Sequence, residues 1–447
     1  MNNPPFFTES SLANRPADQM AAIRVGMVLD QPFPPDARVE REAMALARAG
    51  FEVHLLCMSK NGSPADEYYR GFWIHRASPE ALQFTIPLLN LETRLPYTGI
   101  IQSLAHSWMH IDTTWHSLIH RFVRHYQIQI LHIHDLRLVK TALHVKNNAC
   151  SDMPLTLVAD LHENYPALMQ LLKGKTDPAR GEKARIKWQK IEDEATQGAD
   201  HVITVIEEAR DRLIGGGLPP SKVTVLPNTV DTEKFLQAAT NPEVTKRFKS
   251  RFLLTYVGHI NGEHRGIHTV LEAMALLKDE MPELSFVGAG PVRDDYGRKL
   301  DALIKEHQLT DRVHFTGWLD ETAFVPYIQA ADICLCPHQQ NDHTNNTFPN
   351  KVYLYHLFSK PVITSDCVPL KRYIDNTQGG LVFRSGKAEE LADCIRQLYT
   401  HQIQRKTLGE DGYQAVIKTY HWGNTEKTLL SLYQTLSQKT APVLVSV

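Results

Sequence analysis

Two short stretches in the second half of the chain have residue types that suit the binding of a phosphorylated ligand. The first is Asn345-Asn346-Thr347-Phe348-Pro349-Asn350-Lys351, which runs on through Val352–Phe358 to Pro361-Val362-Ile363-Thr364. It reads as a polar loop, a helix opening near Pro349, and a buried strand at Pro361–Thr364. Proline suits a first helical turn because its missing N–H would be unpaired there anyway. The N–H groups that follow point out of the helix end, and the helix dipole favours an anion. An ordinary capped helix between two strands has the same pattern, so this stretch alone leaves both readings open. The second stretch is Tyr256-Val257-Gly258-His259-Ile260-Asn261-Gly262-Glu263-His264-Arg265-Gly266. Gly258 and Gly262 permit close backbone approach. Arg265, placed before a helix, can grip a diphosphate with its planar fork of donors. The alternative is a surface arginine on a capping turn. Val287-Gly288-Ala289-Gly290-Pro291 adds a glycine-rich turn after a strand, a weak signal by itself.

Histidines are the other chemically capable group. Ile130-Leu131-His132-Ile133-His134-Asp135 puts His132 and His134 on the same side of a strand end, because side chains alternate along a strand. A metal site would need a third ligand, and the sequence shows no clear one. His106/His110 and His116/His120 stand four apart in a helical region. No HExxH accompanies them, so solvated or half-buried histidines are expected. Lys183, Arg185, Lys187 and Lys190 form a basic run around Trp188, either a solvated helix face or a contact with a membrane surface.

The elements that must position these residues alternate between strand and helix. Ile23–Leu29 is an apolar strand, and a loop Asp30–Asp36 leads into a helix over about Ala37–Ala49. Val39, Ala43, Leu46 and Ala47 share one face of that helix, and Gly50 stops it before a second strand, Phe51–Cys57. This is a βαβ unit of the doubly wound type. It lacks GxGxxG, so a dinucleotide oxidoreductase has no support here. Further strands are expected at Phe72–Arg76, Ile128–Ile133, Leu155–Ala159 and His201–Val205, with helices at about Gln102–Tyr126 and Glu182–Gly198. Leu82–Ile101 is apolar but broken by Pro87, Pro96 and Gly99, and reads as a packed crossover or a lid. Gly215-Gly216-Gly217-Leu218-Pro219-Pro220 marks a hinge, after which the α/β pattern restarts. The expected domains are 22–217 and 218–420, with a disordered leader at 1–21 and a terminal helix in 421–447.

These motifs carry a resemblance. The segment around Lys351 and Pro361 is similar to the "PNK-aromatic-acid-Tyr … GKPV" segment of retaining glycosyltransferases of family 4. The resemblance implies the GT-B fold: two doubly wound Rossmann-like α/β domains facing a cleft, with the C-terminal helix returning to the N-terminal domain. It implies a nucleoside diphosphate sugar as donor and net retention at the anomeric carbon, with no metal required. Arg265 matches the second basic position of the family's phosphate loop and His259 the first. Gly288 falls in the turn beside the donor pocket, and Trp318 in a loop whose backbone meets the nucleobase. Asn346, Thr347, Phe348, Asn350, Lys351 and Leu354 fall in the donor segment. In the family, two acidic residues stand at the positions of Asn346 and Leu354. Leu354 cannot bond a ribose diol, and Asn346 can do so only as a neutral group. In the first domain, Asp160-Leu161-His162-Glu163 resembles the family's "D-x-H-E/S" loop. That makes His162 a catalytic candidate beside the sugar, with Arg265 at the leaving group. Glu163 and Asp36 fall on the acceptor side.

Composition is compatible with this. A length of 447 residues suggests two domains. A net charge of −2 gives no hint of nucleic-acid binding, and 43% apolar residues is ordinary for a globular chain. No run is long enough to span a bilayer, and the polar start lacks a signal-peptide pattern. The six cysteines fit no zinc set and read as reduced thiols. The expectation is a cytoplasmic enzyme, peripheral at the inner membrane face if its acceptor is lipid-linked. Two other readings stay open: a GT-B epimerase or hydrolase, and a catalytically impaired scaffold that lost its acids.

Overall fold

The computed structural model describes residues 22–60, 62–77, 111–320 and 322–440. The expected leader, the crossover at Leu82–Ile101, and His106 and His110 lie outside the described residues. The chain divides into two compact units, one reaching Leu226 and resuming at Glu426, the other running from Pro227 to Thr425.

The first unit is built on eight strands: β1 Arg24–Pro32, β2 Glu52–Met58, β3 Asp66–Tyr69, β4 Phe72–Ala77, β5 Ile130–His134, β6 Thr156–Leu161, β7 His201–Thr204 and β8 Val223–Val225. Their order is β3-β4-β2-β1-β5-β6-β7-β8. All neighbours are parallel except β3 and β4. The chain winds outward from β1 in one direction and restarts beside it at β5. The β1/β5 seam is therefore the switch point of a doubly wound sheet, where strand ends leave a crevice for ligands. Val25, Met27 and Val28 on β1 are fully buried, as are Leu131, His132 and Ile133 on β5. Strands covered on both faces read as near-continuous apolar runs, and the two histidines of β5 stand out against that background.

Helix Ala37–Arg48 follows β1. Its N-cap is Asp36, whose carboxylate accepts from the N–H groups of Arg38 and Val39 at 3.0 and 3.1 Å. An N-cap of this kind stabilises a helix by about 1 kcal/mol. Val39, Ala43 and Leu46 are buried against the sheet as the periodicity predicts, but so are Arg38 and Glu42.

The second unit has six parallel strands: β9 Phe252–Val257, β10 Leu284–Ala289, β11 Val313–Phe315, β12 Ile333–Cys336, β13 Val362–Ser365 and β14 Gly380–Phe383. They are ordered β11-β10-β9-β12-β13-β14, which puts the switch point between β9 and β12. Helices Ile267–Leu277 and Ala388–Thr400 bury apolar faces on one side of the sheet. Lys351–Leu357 and Val368–Thr377 bury theirs in a second cluster.

The hinge expected at Gly215–Gly217 is displaced. Those glycines close helix Glu207–Gly215, and the chain then adds β8, paired with β7 from Val202↔Val223 to Thr204↔Val225. Backbone pairing keeps the chain in the first sheet until Leu226, nine residues past the expected boundary at 217. The terminal helix runs Trp422–Thr440, inside the expected 421–447, and its residues from Glu426 onward belong to the first unit. There Tyr433 is buried, edge-on to Phe51 at 5.7 Å between ring centroids.

Candidate functional site

In the first unit, charged and imidazole side chains gather where β5 and β6 end. Asp160, on β6, is fully buried. Its carboxylate accepts two bonds from the Arg38 guanidinium, Nε at 3.0 Å and Nη2 at 2.9 Å. The remaining Arg38 nitrogen, Nη1, donates to the carbonyl of Leu226 at 3.0 Å. Glu42, one turn along the same helix, stands 3.0 Å from Arg38 Nε. His132 bonds the Tyr433 hydroxyl through Nδ1 at 2.5 Å, and its Nε2 faces Asp160 at 3.5 Å and Glu42 at 3.8 Å. His134 Nδ1 lies 3.3 Å from the same Asp160 oxygen.

His162 sits just beyond β6. Its Nε2 is 2.9 Å from Asp160 and its Nδ1 is 3.5 Å from Asp135. Asp135 holds φ 65°, ψ 155°, a conformation costly for a residue other than glycine. That backbone, with its N–H bonded to the carbonyl of Asp160 at 2.9 Å, sets the carboxylate toward His162. Burial works against a charged imidazole here, but Asp135 and then Asp160 outweigh it, and the His162 pKa rises to about 9. Burial likewise opposes ionisation of Asp160, yet Arg38 and His162 hold it well below the usual carboxylate range. His134 goes the other way: burial, then His132, push it well below the ordinary imidazole value. Burial raises Glu42, with Arg38 opposing and Asp160 adding to the rise. Near neutral pH the arrangement presents His162 as an imidazolium, able to donate a hydrogen bond and unable to accept a proton.

The third and fourth metal ligands that sequence reasoning did not find exist in the fold. Glu42, His132, His134 and Asp160 each offer an atom within 4.8 Å of the others, and these donor types suit a divalent cation. Arg38, however, already bonds both Asp160 oxygens and neighbours Glu42. The guanidinium supplies the positive charge that an ion would bring, and a second cation beside it would be repelled.

In the second unit, Arg265 and Lys351 come together at the ends of β9 and β12. Lys351 opens its helix with the ammonium 3.7 Å from the centroid of the Tyr256 ring. Tyr355, one turn on, accepts the Val257 N–H at 2.8 Å and ties that helix to β9. Arg265 Nε donates to Asn261 at 3.2 Å, and its Nη1 lies 3.5 Å from Nε2 of buried His338. Gly266 is forced: its φ is +71°, and a Cβ there would sit 1.7 Å from the Pro337 carbonyl oxygen. Burial, then Arg265, hold the Lys351 amine well below its ordinary range. Burial, then Arg265 and Lys351, do the same to His338, and to a lesser degree to His259. Among the described residues neither Arg265 nor Lys351 has a carboxylate partner. A guanidinium and a neighbouring amine with no counter-charge form a site for an anion, whose presence favours the charged form of the amine.

His259 joins this group, its ring 5.7 Å from that of Trp318, which is 69% exposed. Other candidates are spent on the fold. Asn346 donates to the Asp342 carbonyl at 2.9 Å, and Thr347 to that of His343 at 3.1 Å. Phe348 packs on Tyr353 and Tyr373. Asn350 stands at the N-cap position of the Lys351 helix without a side-chain cap bond. Gly288 lies within β10, where the Phe315 ring fills the space a Cβ would need. Leu354, expected against the donor, is 5% exposed and belongs to the second unit's apolar cluster. It faces inward because it shares a helix face with Leu357 and sits three residues before it. In the first unit, Asp36 is the N-cap described above, and Glu163 is exposed beside His162.

Sequence reasoning passed over Arg38, Glu42, Asp135, Asp160 and Tyr433 as acting residues. A signal existed for two of them. Arg38 and Glu42 are spaced i, i+4 and each directly precedes a core position, Val39 and Ala43, so they flank the buried stripe.

Residues 37–234 match the family described as Glycosyltransferase Family 4, and residues 251–401 match Glycosyl transferases group 1. A lipopolysaccharide core biosynthesis glycosyltransferase, LpsE of Rhizobium meliloti, is 26% identical over 35% of this chain and 42% of its own length. The chain spans less than two thirds of the length of the first curated relatives it matches. Among solved structures, sucrose-phosphate synthase from Thermosynechococcus elongatus aligns with a TM-score of 0.70 at 17% identity, covering 93% of this chain and 99% of that one. HepE from Anabaena, in complex with UDP, aligns at 0.64 and 14% identity, covering 93% and 100%. At these identities the likeness shows the fold, which is GT-B.

Proposed function

We propose that this chain, which belongs to the group 1, family 4 type of glycosyltransferases, moves a sugar from a nucleoside diphosphate donor to an acceptor hydroxyl with retention at the anomeric carbon. The observation that carries this reading is the pair Arg265 and Lys351 without a counter-charge. A diphosphate leaving group gains negative charge as the glycosidic bond breaks. Arg265 is a fixed cation already in place, and Lys351 beside it gains its charge as the diphosphate arrives; charge positioned in this way at the leaving group is the largest single contribution many enzymes make. The UDP held by the Anabaena protein supports a nucleoside diphosphate as the anion.

Each group then has a role. Arg265 and Lys351 take the diphosphate oxygens, and His259 donates a neutral hydrogen bond. Trp318 offers an exposed ring to the base. His162, as an imidazolium, donates to a sugar hydroxyl and so cannot serve as the base. The acceptor proton passes instead to a phosphate oxygen of the departing group on the same face. Two protein cations do the work a metal would do, so no metal is required. The acceptor is a glycan or a lipid-linked glycan, in keeping with the lipopolysaccharide role in the name of the LpsE relative.

The absence of acids at Asn346 and Leu354 favours a second reading, a scaffold that binds nucleotide without turnover. A thermal-shift panel of nucleoside diphosphates and their sugars, followed by a diphosphate-release assay in EDTA, separates the two. Stabilisation by one nucleotide sugar and release only with acceptor, undiminished by EDTA, supports transfer. Stabilisation without release supports the scaffold. Complete loss in EDTA, restored by magnesium or manganese, refutes the metal-free mechanism.

A further inference from the structure

We propose that the helical hairpin of the first unit, Tyr165–Gly174 and Pro178–Gly198, is a docking surface for a membrane of anionic phospholipid. The proposal is independent of the transfer reading. Between Gln170 and Lys190 the sequence has seven basic residues and two acidic ones, in a chain whose net charge is −2. Both acids are engaged. Asp177 accepts from the N–H groups of Ala179 and Arg180 as the N-cap of the second helix. Glu182 bonds Arg185 through both oxygens, at 2.9 and 2.6 Å. That leaves Lys173, Lys175, Arg180, Lys183, Lys187 and Lys190, all exposed and none with a carboxylate partner among the described residues.

The surface carries more than charge. Lys183, Ile186, Lys187 and Lys190 recur at i, i+3, i+4 and i+7 and so share one helix face. Ile186 is 57% exposed in the middle of that face, and Leu172, near the end of the first helix, is 46% exposed. Aliphatic side chains among lysines suit a lipid interface, which takes the cations at its headgroups and the apolar groups below them. A nucleic-acid backbone would take the cations and leave the aliphatics in water. Trp188, which the sequence places in the basic run, is not part of this face. It packs on Tyr165, with 4.6 Å between ring centroids, and holds the two helices together. The hairpin is also locked at its tip, where a Cβ on Gly181 would lie 2.7 Å from the Gly174 Cα. Further along, Glu192 anchors it through two bonds to Arg212, at 2.5 and 2.8 Å. The face is a rigid platform. No helix among the described residues is long and apolar enough to cross a membrane.

The test is vesicle flotation of the full chain with phosphatidylcholine vesicles and with vesicles one third phosphatidylglycerol. A basic residue at such a surface is worth roughly fivefold in partitioning. The wild type should favour the anionic vesicles at least tenfold, less so at high salt. The triple variant K183Q/K187Q/K190Q should lose on the order of a hundredfold, and Ile186→Ser roughly fivefold. All substituted positions are exposed, so circular dichroism and the nucleotide thermal shift should be unchanged. Equal binding to neutral vesicles, no binding to anionic ones, or full retention by the triple variant would overturn the proposal. So would binding of single-stranded DNA by a wild type that ignores vesicles, which would assign the face to another polyanion.

Discussion

Replacing Asp135 by Asn should lower the pH at which His162 loses its proton, and with it part of the chain's stability. Asp135 lies 3.5 Å from His162 Nδ1, with its side chain 25% exposed, and is the largest influence raising that imidazole. The rise from 6.5 to about 9 corresponds to about 3 kcal/mol of folding stability. The sign follows from the direction of the rise. A group that binds its proton more tightly when folded contributes fully below its unfolded pKa, near 6.5. The contribution is lost as pH climbs through 9. The wild type should therefore lose about 3 kcal/mol from this group between pH 6.5 and 9. Asn keeps the shape of Asp and tolerates the positive φ, so the backbone is retained, and the bond from His162 to Asp160 remains. An opposite charge at this distance moves a pKa by roughly one to two pH units, so the variant should lose about half of the effect. Urea unfolding followed from pH 5.5 to 9.5 measures the stability, and NMR of labelled histidine reads the ring directly. The reasoning is refuted if no wild-type histidine titrates above pH 8, or if both proteins show the same pH dependence.

Other consequences can be checked in parallel. Arg265→Ala should cost on the order of 2–4 kcal/mol in kcat/KM while leaving the urea midpoint nearly unchanged; a loss under fivefold in steady state would remove Arg265 from the leaving-group site. Leu354→Glu puts a carboxylate into the second unit's core, so it should destabilise by about 3 kcal/mol or more rather than supply a ribose contact. A denaturation midpoint matching the wild type would show that position 354 is open after all. Lys351 has a depressed pKa in the free protein, and a bound diphosphate would raise it. Nucleotide binding should take up protons and weaken as pH rises above the free value; calorimetry in buffers of different ionisation enthalpy, showing no proton uptake, would contradict this.

Much of the candidate site in the second unit is legible in the linear sequence, because it is built from local signals. Gly258, Arg265-Gly266 and Pro349-Asn350-Lys351 each mark a strand end or a helix start. In a doubly wound sheet those ends converge at the switch point, whatever the details of packing. The alternation of apolar strands with amphipathic helices likewise announced both sheets. The hinge was misplaced because glycines report where a helix stops. Whether Val223–Val225, a few residues on, pair with β7 is a tertiary matter.

What the sequence could not determine is which polar residues turn inward. Leu354 looked like a substituted ligand position and is a core residue, because helix rotation against the sheet is set by its whole apolar face. Asn346 and Thr347 looked like ligand donors, but their side chains bond the carbonyls of their own loop. Arg38 and Glu42 border the apolar stripe of the first helix, and the stripe alone does not say whether they turn inward. They are buried because Asp160, 122 residues away in the chain, offers the guanidinium both oxygens. The charge on His162 depends on Asp135 and Asp160, and the bond to His132 comes from Tyr433, 301 residues further on. Pattern and propensity act over a few residues and can be read in order. The electrostatics of a buried cluster depend on distances between segments remote in sequence, and only the folded chain determines those.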